Sequence, residues 1–407
     1  MAPNGSPALM RAINAAHVVR RLRSEGPLSR ADLVRATGLS KPTITNVVAH
    51  LEDLAYITRA DDPDEGRRPL APRYRYRADR GQVLGIDIGA DKTLLLLADL
   101  AGNVLARTRF ATRSASPNGP SQVFEQLSAA SDRLLAEVGA SRETLLAVVV
   151  GTPGVVSLEG VVTTAPQLEG WEGLDLKGSL EEIYPCPVHV VGEVALSLQA
   201  ESWLGVTRGI DDALFVHLGI GVGAAILVGG SILFGADGGA GEIGLMPYPS
   251  PQPDGTVDFV PLESLAGGGA LQRLGADLAR TTEGARLRDL AGGDPGAVDA
   301  ALVFAAAREG DAAAAALVEQ STRSLAWALS CLICALNPRS VVIGGGLSRS
   351  ADLFLAQVIE QAQRSVPLPP EWFVSELGDE AVALGAIHQA VAIVERGLFE
   401  PLGTAAL

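Results

Sequence analysis

Between residues 40 and 50 lies a run of side chains suited to reading the edges of bases. Ser40 is a good helix N-cap, and Pro42 falls in the first turn, where a missing N–H is tolerated. Helical periodicity then places Ile44, Val47, Val48, Leu51 and Leu54 on one face. Thr43, Thr45, Asn46 and His50 fall largely on the other, with Lys41 at the start. Short hydroxyls allow close approach to a groove, and an Asn amide can pair with adenine through two hydrogen bonds.

The elements that must present this face are legible around it. Residues 9–25 predict a helix with Ile13, Val18, Val19 and Leu22 among its apolar positions, closed by Gly26-Pro27. Ser29-Arg30-Ala31-Asp32 fits a capping box opening a short helix through Leu33, Val34 and Ala36, and Thr37-Gly38-Leu39 is a tight turn. Residues 56–59 predict a strand, 61–66 a turn and 73–77 a returning strand. Arg67 and Arg68 sit near the tip of this wing, where they can reach a groove or phosphates. Two short helices around a Gly turn, followed by a hairpin, predict a winged helix-turn-helix that binds double-stranded DNA. The alternative is a three-helix protein-binding module whose polar face is merely solvated.

A second source of chemistry is glycine. Residues 83–89 read as a strand ending in Asp87-Ile88-Gly89, followed by strand 93–97, a turn at Ala101-Gly102-Asn103 and a third strand through Arg109. The pattern returns as strand 214–218, a turn bearing Gly219, Gly221 and Gly223, strand 224–228, a Gly229-Gly230 turn and a third strand at Ile232-Leu233-Phe234. Two such meanders, each followed by helices and another strand, predict a duplicated α/β domain with a cleft between lobes. Gly-rich hairpins can offer backbone N–H groups to phosphates. The plainer reading is that these glycines only permit tight turns. Residues 147–150, 188–191 and 341–343 read as further strands, the last running into Gly344-Gly345-Gly346. Residues 312–336 and 380–394 read as helices.

Charge separates the two parts. The whole chain of 407 residues carries a net charge of −15, yet residues 1–80 hold 14 Lys/Arg against 9 Asp/Glu. A small basic module is therefore joined to a strongly acidic body, as expected of a polyanion-binding segment attached to something else. Cys186, Cys331 and Cys334 are too few for a disulfide framework and point to a reducing compartment. Cys331 and Cys334, one helical turn apart on an apolar helix, read as core packing. No apolar run reaches the roughly 20 residues of a membrane span, so the expectation is a cytoplasmic protein without a membrane partner.

The stretches GPLSRADLVRATGLSKPTITNVVAHL, GRRPL, LGIDIGADKT, VVVGTPGVV, HLGIGVGAAI, GADGGAGEIGLM, VVIGGGLS and ALGAIHQA together resemble the transcriptional regulators of the repressor–ORF–kinase (ROK) family, across essentially the whole chain. The resemblance implies an α/β fold: an N-terminal winged helix-turn-helix plus a two-lobed actin-like ATPase (ribonuclease H-like) body. It places the DNA-binding domain at 1–80, the N-terminal lobe at 81–191 and the C-terminal lobe at 192–407, with the last helix packing back on the N-terminal lobe. It further implies a sugar or sugar-derivative effector in the cleft and a homodimer or homotetramer on palindromic operators.

The same resemblance shows where kinase chemistry is degraded. A sugar kinase needs phosphates held by amides and Mg²⁺, and a carboxylate to take the proton of the attacking hydroxyl. Asp87 and Gly89 match the first phosphate loop, but Ala90-Asp91 stands where family kinases have Gly-Thr, and Ile220 replaces a Thr in the second loop. Like charges a few Å apart repel by about 1–4 kcal/mol, so Asp91 opposes a bound phosphate. Where kinases carry Asn-Asp-Ala-Asn, this chain has Gly192-Glu193-Val194-Ala195, which lengthens the base and removes the sugar-binding amides. Glu193 is a ligand-binding candidate whose plainer reading is a solvated carboxylate at the cleft edge. Glu242 and Glu263 stand where family members have sugar-contacting glutamates; the plainer reading is surface carboxylates. Leu245 replaces a His that in relatives contacts sugar and helps hold a structural zinc, and residues 246–262 contain neither Cys nor His. A zinc site needs about four such ligands, so no metal is expected. The expectation is a regulator, a repressor of carbohydrate-related genes, with no catalytic residues and no cofactor. The alternatives are a bifunctional ATP-dependent sugar kinase with a fused DNA-binding domain, and a regulator answering to a protein partner.

Overall fold

The computed structural model describes residues 7–60, 71–112, 119–251, 254–364 and 366–397. The chain divides into two compact units: residues 1–150, 177–189 and 386–407 form the first, and 151–176 with 190–385 the second.

The first unit opens with α1 (Pro7–Glu25), β1 (Leu28–Ser29), α2 (Arg30–Thr37), α3 (Lys41–Asp53), β2 (Ile57–Arg59) and β3 (Arg73–Tyr76). The strands form an antiparallel sheet in the order β1-β3-β2. The capping box at Ser29 and Asp32 is present, and Gly38 closes α2 with φ +70°, a conformation that glycine adopts freely. Val18, Val19, Leu22, Leu33, Ile44, Val48, Leu51 and Tyr74 are buried together as the core. Ile13, another apolar position of this helix, is 43% exposed, because it lies about 140° around the helix from Val18. Arg67 and Arg68 lie outside the described residues.

The body begins with the meander β4 (Gln82–Ile88), β5 (Lys92–Asp99) and β6 (Val104–Ala111), followed by α4 (Gly119–Glu137) and β7 (Leu145–Thr152). Residues 94–98 of β5 are all buried, as suits a strand covered on both faces. On α4, Val123, Leu127, Ala130 and Leu134 repeat at helical spacing and are buried. The chain then enters the second unit, where β8 (Val155–Val156), β9 (Val161–Thr164) and β10 (Leu174–Asp175) form a small sheet. It returns through α5 (Leu176–Glu181) to β11 (Val188–Gly192) and completes a five-stranded sheet ordered β11-β7-β4-β5-β6.

The rest of the second unit runs α6 (Glu193–Trp203), β12 (Ala213–Leu218), β13 (Val222–Val228), β14 (Ser231–Ile232), the hairpin β15 (Pro247–Pro251) and β16 (Val257–Pro261), α7 (Gly268–Ala279), α8 (Ala285–Leu290), α9 (Ala300–Arg308), α10 (Ala312–Leu336), β17 (Ser340–Gly344), α11 (Ala351–Gln363) and β18 (Glu371–Val374). The final helix, α12 (Ala381–Gly397), starts in this unit and ends in the first. The sheet order is β14-β13-β12-β17-β18, with β12, β17 and β18 parallel. Counted in chain order, both five-stranded sheets therefore read third, second, first, fourth, fifth, which is the duplication the two meanders predicted. Alternation along β12 sends Leu214, Val216 and Leu218 into a core with residues of α7, α9 and α10, and Phe215 toward Leu198 of α6.

Two sequence expectations fail here. The third strand of the second meander does not extend through Phe234: after Ile232 one further bond joins Leu233 N–H to the Ile226 carbonyl at 2.9 Å, and Gly235 at φ +76° turns the chain away. Cys331 and Cys334 are exposed and are not core residues. The buried stripe of α10 runs through Val318, Leu325, Leu329 and Ile333, and Cys331 sits about 200° around from Leu329. Among the described residues no helix is long and apolar enough to cross a membrane.

Candidate functional site

Two sets of residues were singled out, and each is positioned within one unit. In the winged helix, Ser40 caps α3: its Oγ accepts from the Thr43 N–H at 3.3 Å and lies 2.8 Å from Thr43 Oγ1. Thr45 Oγ1 donates back to the Lys41 carbonyl at 3.0 Å. These three hydroxyls therefore help to hold the helix start. Lys41, Thr45, Asn46 and His50 are all exposed, and Thr43 is half-buried. The Asn46 amide has no hydrogen-bond partner among the described residues, which leaves both its donor and its acceptor available. Sequence reasoning missed one support of this face: Arg30, the first residue of α2, stacks its guanidinium 5.3 Å from the centre of the Tyr74 ring in β3 and so ties helix to wing.

The second set gathers in the second unit. Glu193 begins α6 directly after β11, Glu242 precedes the turn Ile243–Leu245, and Glu263 lies in the turn Leu262–Ser264. Two of these carboxyls are raised with a neighbouring carboxylate among the causes. Burial first, and the Glu242 carboxylate second, push the Glu193 carboxyl up to about 7. Glu242 is raised too, by loss of solvent and then by Glu263. Glu242 and Glu263 each keep a good part of their surface exposed. Glu193 is half-buried, and loss of solvent with a like charge beside it raises its carboxyl, which the plainer reading of it as a solvated edge carboxylate does not anticipate. Glu263 lies close against backbone: a Cβ at Gly244 would come within 2.9 Å of its Oε2, and one at Gly221 within 3.1 Å. Gln167 Nε2 approaches the same Gly221 position at 3.9 Å. Such a row offers several acceptors for hydroxyl groups, and a Glu193 that titrates near neutrality can accept or donate.

His217 was also missed. It occupies the position on β12 that alternates with Val216 and Leu218, and its Nδ1 is buried without a hydrogen-bond partner among the described residues. Burial pushes its imidazole down to about 4, so it is neutral at ordinary pH. The two-residue period of the strand was the signal that would have placed it facing away from the α7–α10 core.

The glycine turns are largely occupied with holding themselves together. The Gly89 N–H donates to the Lys92 carbonyl at 3.0 Å and the Gly219 N–H to the Gly221 carbonyl at 3.1 Å. At the start of α7, the Gly268 and Gly269 N–H groups donate to the Gly219 and Ile220 carbonyls at 2.7 and 2.8 Å. These donors are committed, and the Ile220 side chain between them is 56% exposed. Gly345, at φ +84°, is required by packing, since a Cβ there would fall 2.6 Å from the Leu218 carbonyl oxygen.

The segment where the resemblance implies zinc does not fit one. Leu245 is 62% exposed, and among the described residues no three His, Cys, Asp or Glu side chains gather so as to hold a metal ion. The β15–β16 hairpin is instead fastened by Tyr248, whose ring meets Trp327 of α10 edge to face at 5.3 Å between centres. Trp327→Ala is expected to destabilise the second unit by about 2 kcal/mol, whereas EDTA should leave the melting temperature unchanged. Thermal melts of both proteins with and without chelator check this, and a chelator-dependent fall in the wild type would refute it.

Comparison with known proteins agrees with this architecture. Residues 83–392 match the model of the ROK family, and residues 12–68 that of the MarR family. The xylose repressor of Caldicellulosiruptor bescii is 25% identical over 406 residues, covering 95% of this chain and 97% of the repressor. A glucokinase of Halalkalibacterium halodurans is 29% identical over 319 residues, covering 94% of the kinase but 76% of this chain. The crystal structure of a ROK family transcriptional regulator, a homologue of the Escherichia coli MLC protein, superposes with a TM-score of 0.77 over 96% of this chain and 98% of that one, at 22% identity. The fold is thus a winged helix-turn-helix joined to an actin-like sugar-kinase body, and with its greater part matched by the family model the chain belongs to the ROK family.

Proposed function

We propose that this chain is a sugar-responsive repressor that binds double-stranded DNA through α3 and its wing and does not phosphorylate sugars. The observation that carries this reading is the exposed face of α3, with Asn46 uncommitted, fused to a ROK body. The xylose repressor matches that combination almost end to end, whereas the glucokinase leaves about a quarter of this chain unmatched. In this reading residues 1–80 are the DNA-binding domain, with Ser40, Lys41, Thr43, Thr45, Asn46, His50, Arg67 and Arg68 as its contacts. The lobes are 81–191 and 192–407, with the last helix returning to the first lobe. Membership of residues 386–397 in the first unit supports that return, while 151–176 group with the second. Glu193, Glu242 and Glu263 receive hydroxyls of a sugar or sugar derivative. The protein acts in the cytoplasm as a homodimer or homotetramer, a state that light scattering on the purified chain measures.

Loss of catalysis is supported by Ala90-Asp91, Ile220 and the missing amides around Glu193. A carboxyl near 7 is chemically competent to take a proton, so turnover decides the matter. Genome-wide mapping of bound DNA should enrich sites beside carbohydrate genes, and incubation with ATP and common hexoses should yield no sugar phosphate. Absence of enriched sites, or robust turnover abolished by Glu193→Ala, would overturn the reading.

A further inference from the structure

α12 belongs to both units: residues 381–385 lie in the second and 386–397 in the first. Its two ends are fastened in different ways. In the second unit Gly385 is pressed onto α6, so that a Cβ there would stand 1.9 Å from the Leu196 carbonyl oxygen and 2.6 Å from the carbonyl carbon. Backbone meets backbone at that point, and α6 is the helix that opens on Glu193.

In the first unit Glu395 forms an ion pair with Arg23 in the last turn of α1, with side-chain exposures of 28% and 24%. The other Arg23 Nη reaches the Ala101 carbonyl at 3.5 Å. Tyr76, at the end of β3, donates its hydroxyl to the neighbouring Leu100 carbonyl, also at 3.5 Å. The winged helix is thus held by a charged pair and two carbonyls of the β5–β6 turn. Between the fastened ends, Ala386, Ile387, Ala390, Val391 and Val394 are buried, so the helix does not slide or roll without moving what it packs against.

We infer that α12 is the rod that couples the carboxylate row at α6 to the DNA-binding module, and that Arg23 and Glu395 are the positioning pair through which it does so. The inference rests on α3 being the DNA-binding surface. A shift of the α6 start on filling the carboxylate row is passed to α12 at Gly385 and leaves it at Glu395, where α1 follows. Removing one partner of this part-buried pair strands the other charge, so a variant at either residue weakens the fastening of α12 to α1. Coupling between two binding sites is reciprocal, so DNA must alter α6 if a ligand at α6 alters DNA binding. The effector therefore need not be known to test it.

Hydrogen–deuterium exchange on the full chain, with and without a duplex selected from random-sequence DNA, provides the test. In the wild type the duplex should slow exchange in α3 and also change exchange at least threefold in α12 and in residues 194–203 of α6. Glu395→Gln should keep the α3 protection at saturating DNA, bind about tenfold more weakly and lose the α6 response. The reversed pair Arg23→Glu/Glu395→Arg should restore affinity to within threefold and bring the α6 response back, a rescue that a purely structural pair of side chains elsewhere on α1 would not give. Protection of α3 in the wild type with no change in α6, or a Glu395→Gln protein that keeps its α6 response, would overturn the coupling while leaving DNA binding intact. Absence of α3 protection would remove the DNA-binding reading and the coupling with it.

Discussion

At pH 8, Glu193→Gln is expected to be more resistant to urea than the wild type by about 2 kcal/mol, and at pH 4.5 the two proteins should unfold almost together. The ordinary value of a glutamate carboxyl is near 4.5, and in the fold Glu193 is held at about 7 by burial first and the Glu242 carboxylate second. Between those two values the native protein binds more protons than the unfolded chain does. Stability therefore falls as pH rises through this window and remains at the lower level above it. One unit is worth about 1.4 kcal/mol, so the full shift corresponds to roughly 3 kcal/mol, and partial exposure of the side chain reduces that to about 2. Glutamine keeps the shape and the hydrogen-bonding capacity of the side chain and has no charge to desolvate. Urea midpoints of both proteins from pH 4.5 to 8 measure the effect, read on the transition of the second unit. Identical slopes between pH 5 and 7 would show that Glu193 is solvated after all.

What the sequence disclosed and what it concealed follow from the range of the forces involved. Ser29 with Asp32, Ser40, Gly38 and the apolar stripe from Ile44 to Leu51 act within a few residues, and the helices they specify stand where the spacing put them. The two-residue β1 has no pattern of its own; it exists because Leu28 and Ser29 pair with Tyr74 and Arg73. Cys331 and Cys334 were misplaced because α10 is apolar on more than its buried stripe, and composition does not say which side faces in. The environment of Glu193 is set by Glu242 and that of Glu242 by Glu263, and the glycines that let Glu263 approach, Gly221 and Gly244, are unremarkable in the sequence. Glu395 and Arg23 are separated by 372 positions, and no periodicity reaches that far. Resemblance could name Glu193, Glu242 and Glu263, but only packing shows that Glu242 raises Glu193 and Glu263 raises Glu242.

The other large effect is expected on DNA. Asn46→Ala should weaken binding to the preferred site by about 1–3 kcal/mol, roughly 5- to 150-fold, and relax the preference at one base pair while the salt dependence stays the same. Lys41→Ala should do the opposite: weaken binding on every sequence to a similar degree and lower the salt slope by about 1, as expected of a side chain that meets a phosphate. The contrast rests on what each group already does. Thr45 Oγ1 is bound to the Lys41 carbonyl, and Ser40 and Thr43 are bound to each other and to the start of α3. Asn46 is exposed one turn into the helix with its amide unspent among the described residues, so unlike the hydroxyls of Ser40, Thr43 and Thr45 it can give two hydrogen bonds to a base without giving up one in the protein. Ser40→Ala separates reading from folding. It removes the N-cap, costs about 1 kcal/mol of helix stability, and should weaken binding through a frayed α3 without changing which base is preferred. Binding profiles of the three variants on a randomised duplex at two salt concentrations distinguish these outcomes. An Asn46→Ala protein with an unchanged base profile would place the reading of sequence elsewhere than on α3.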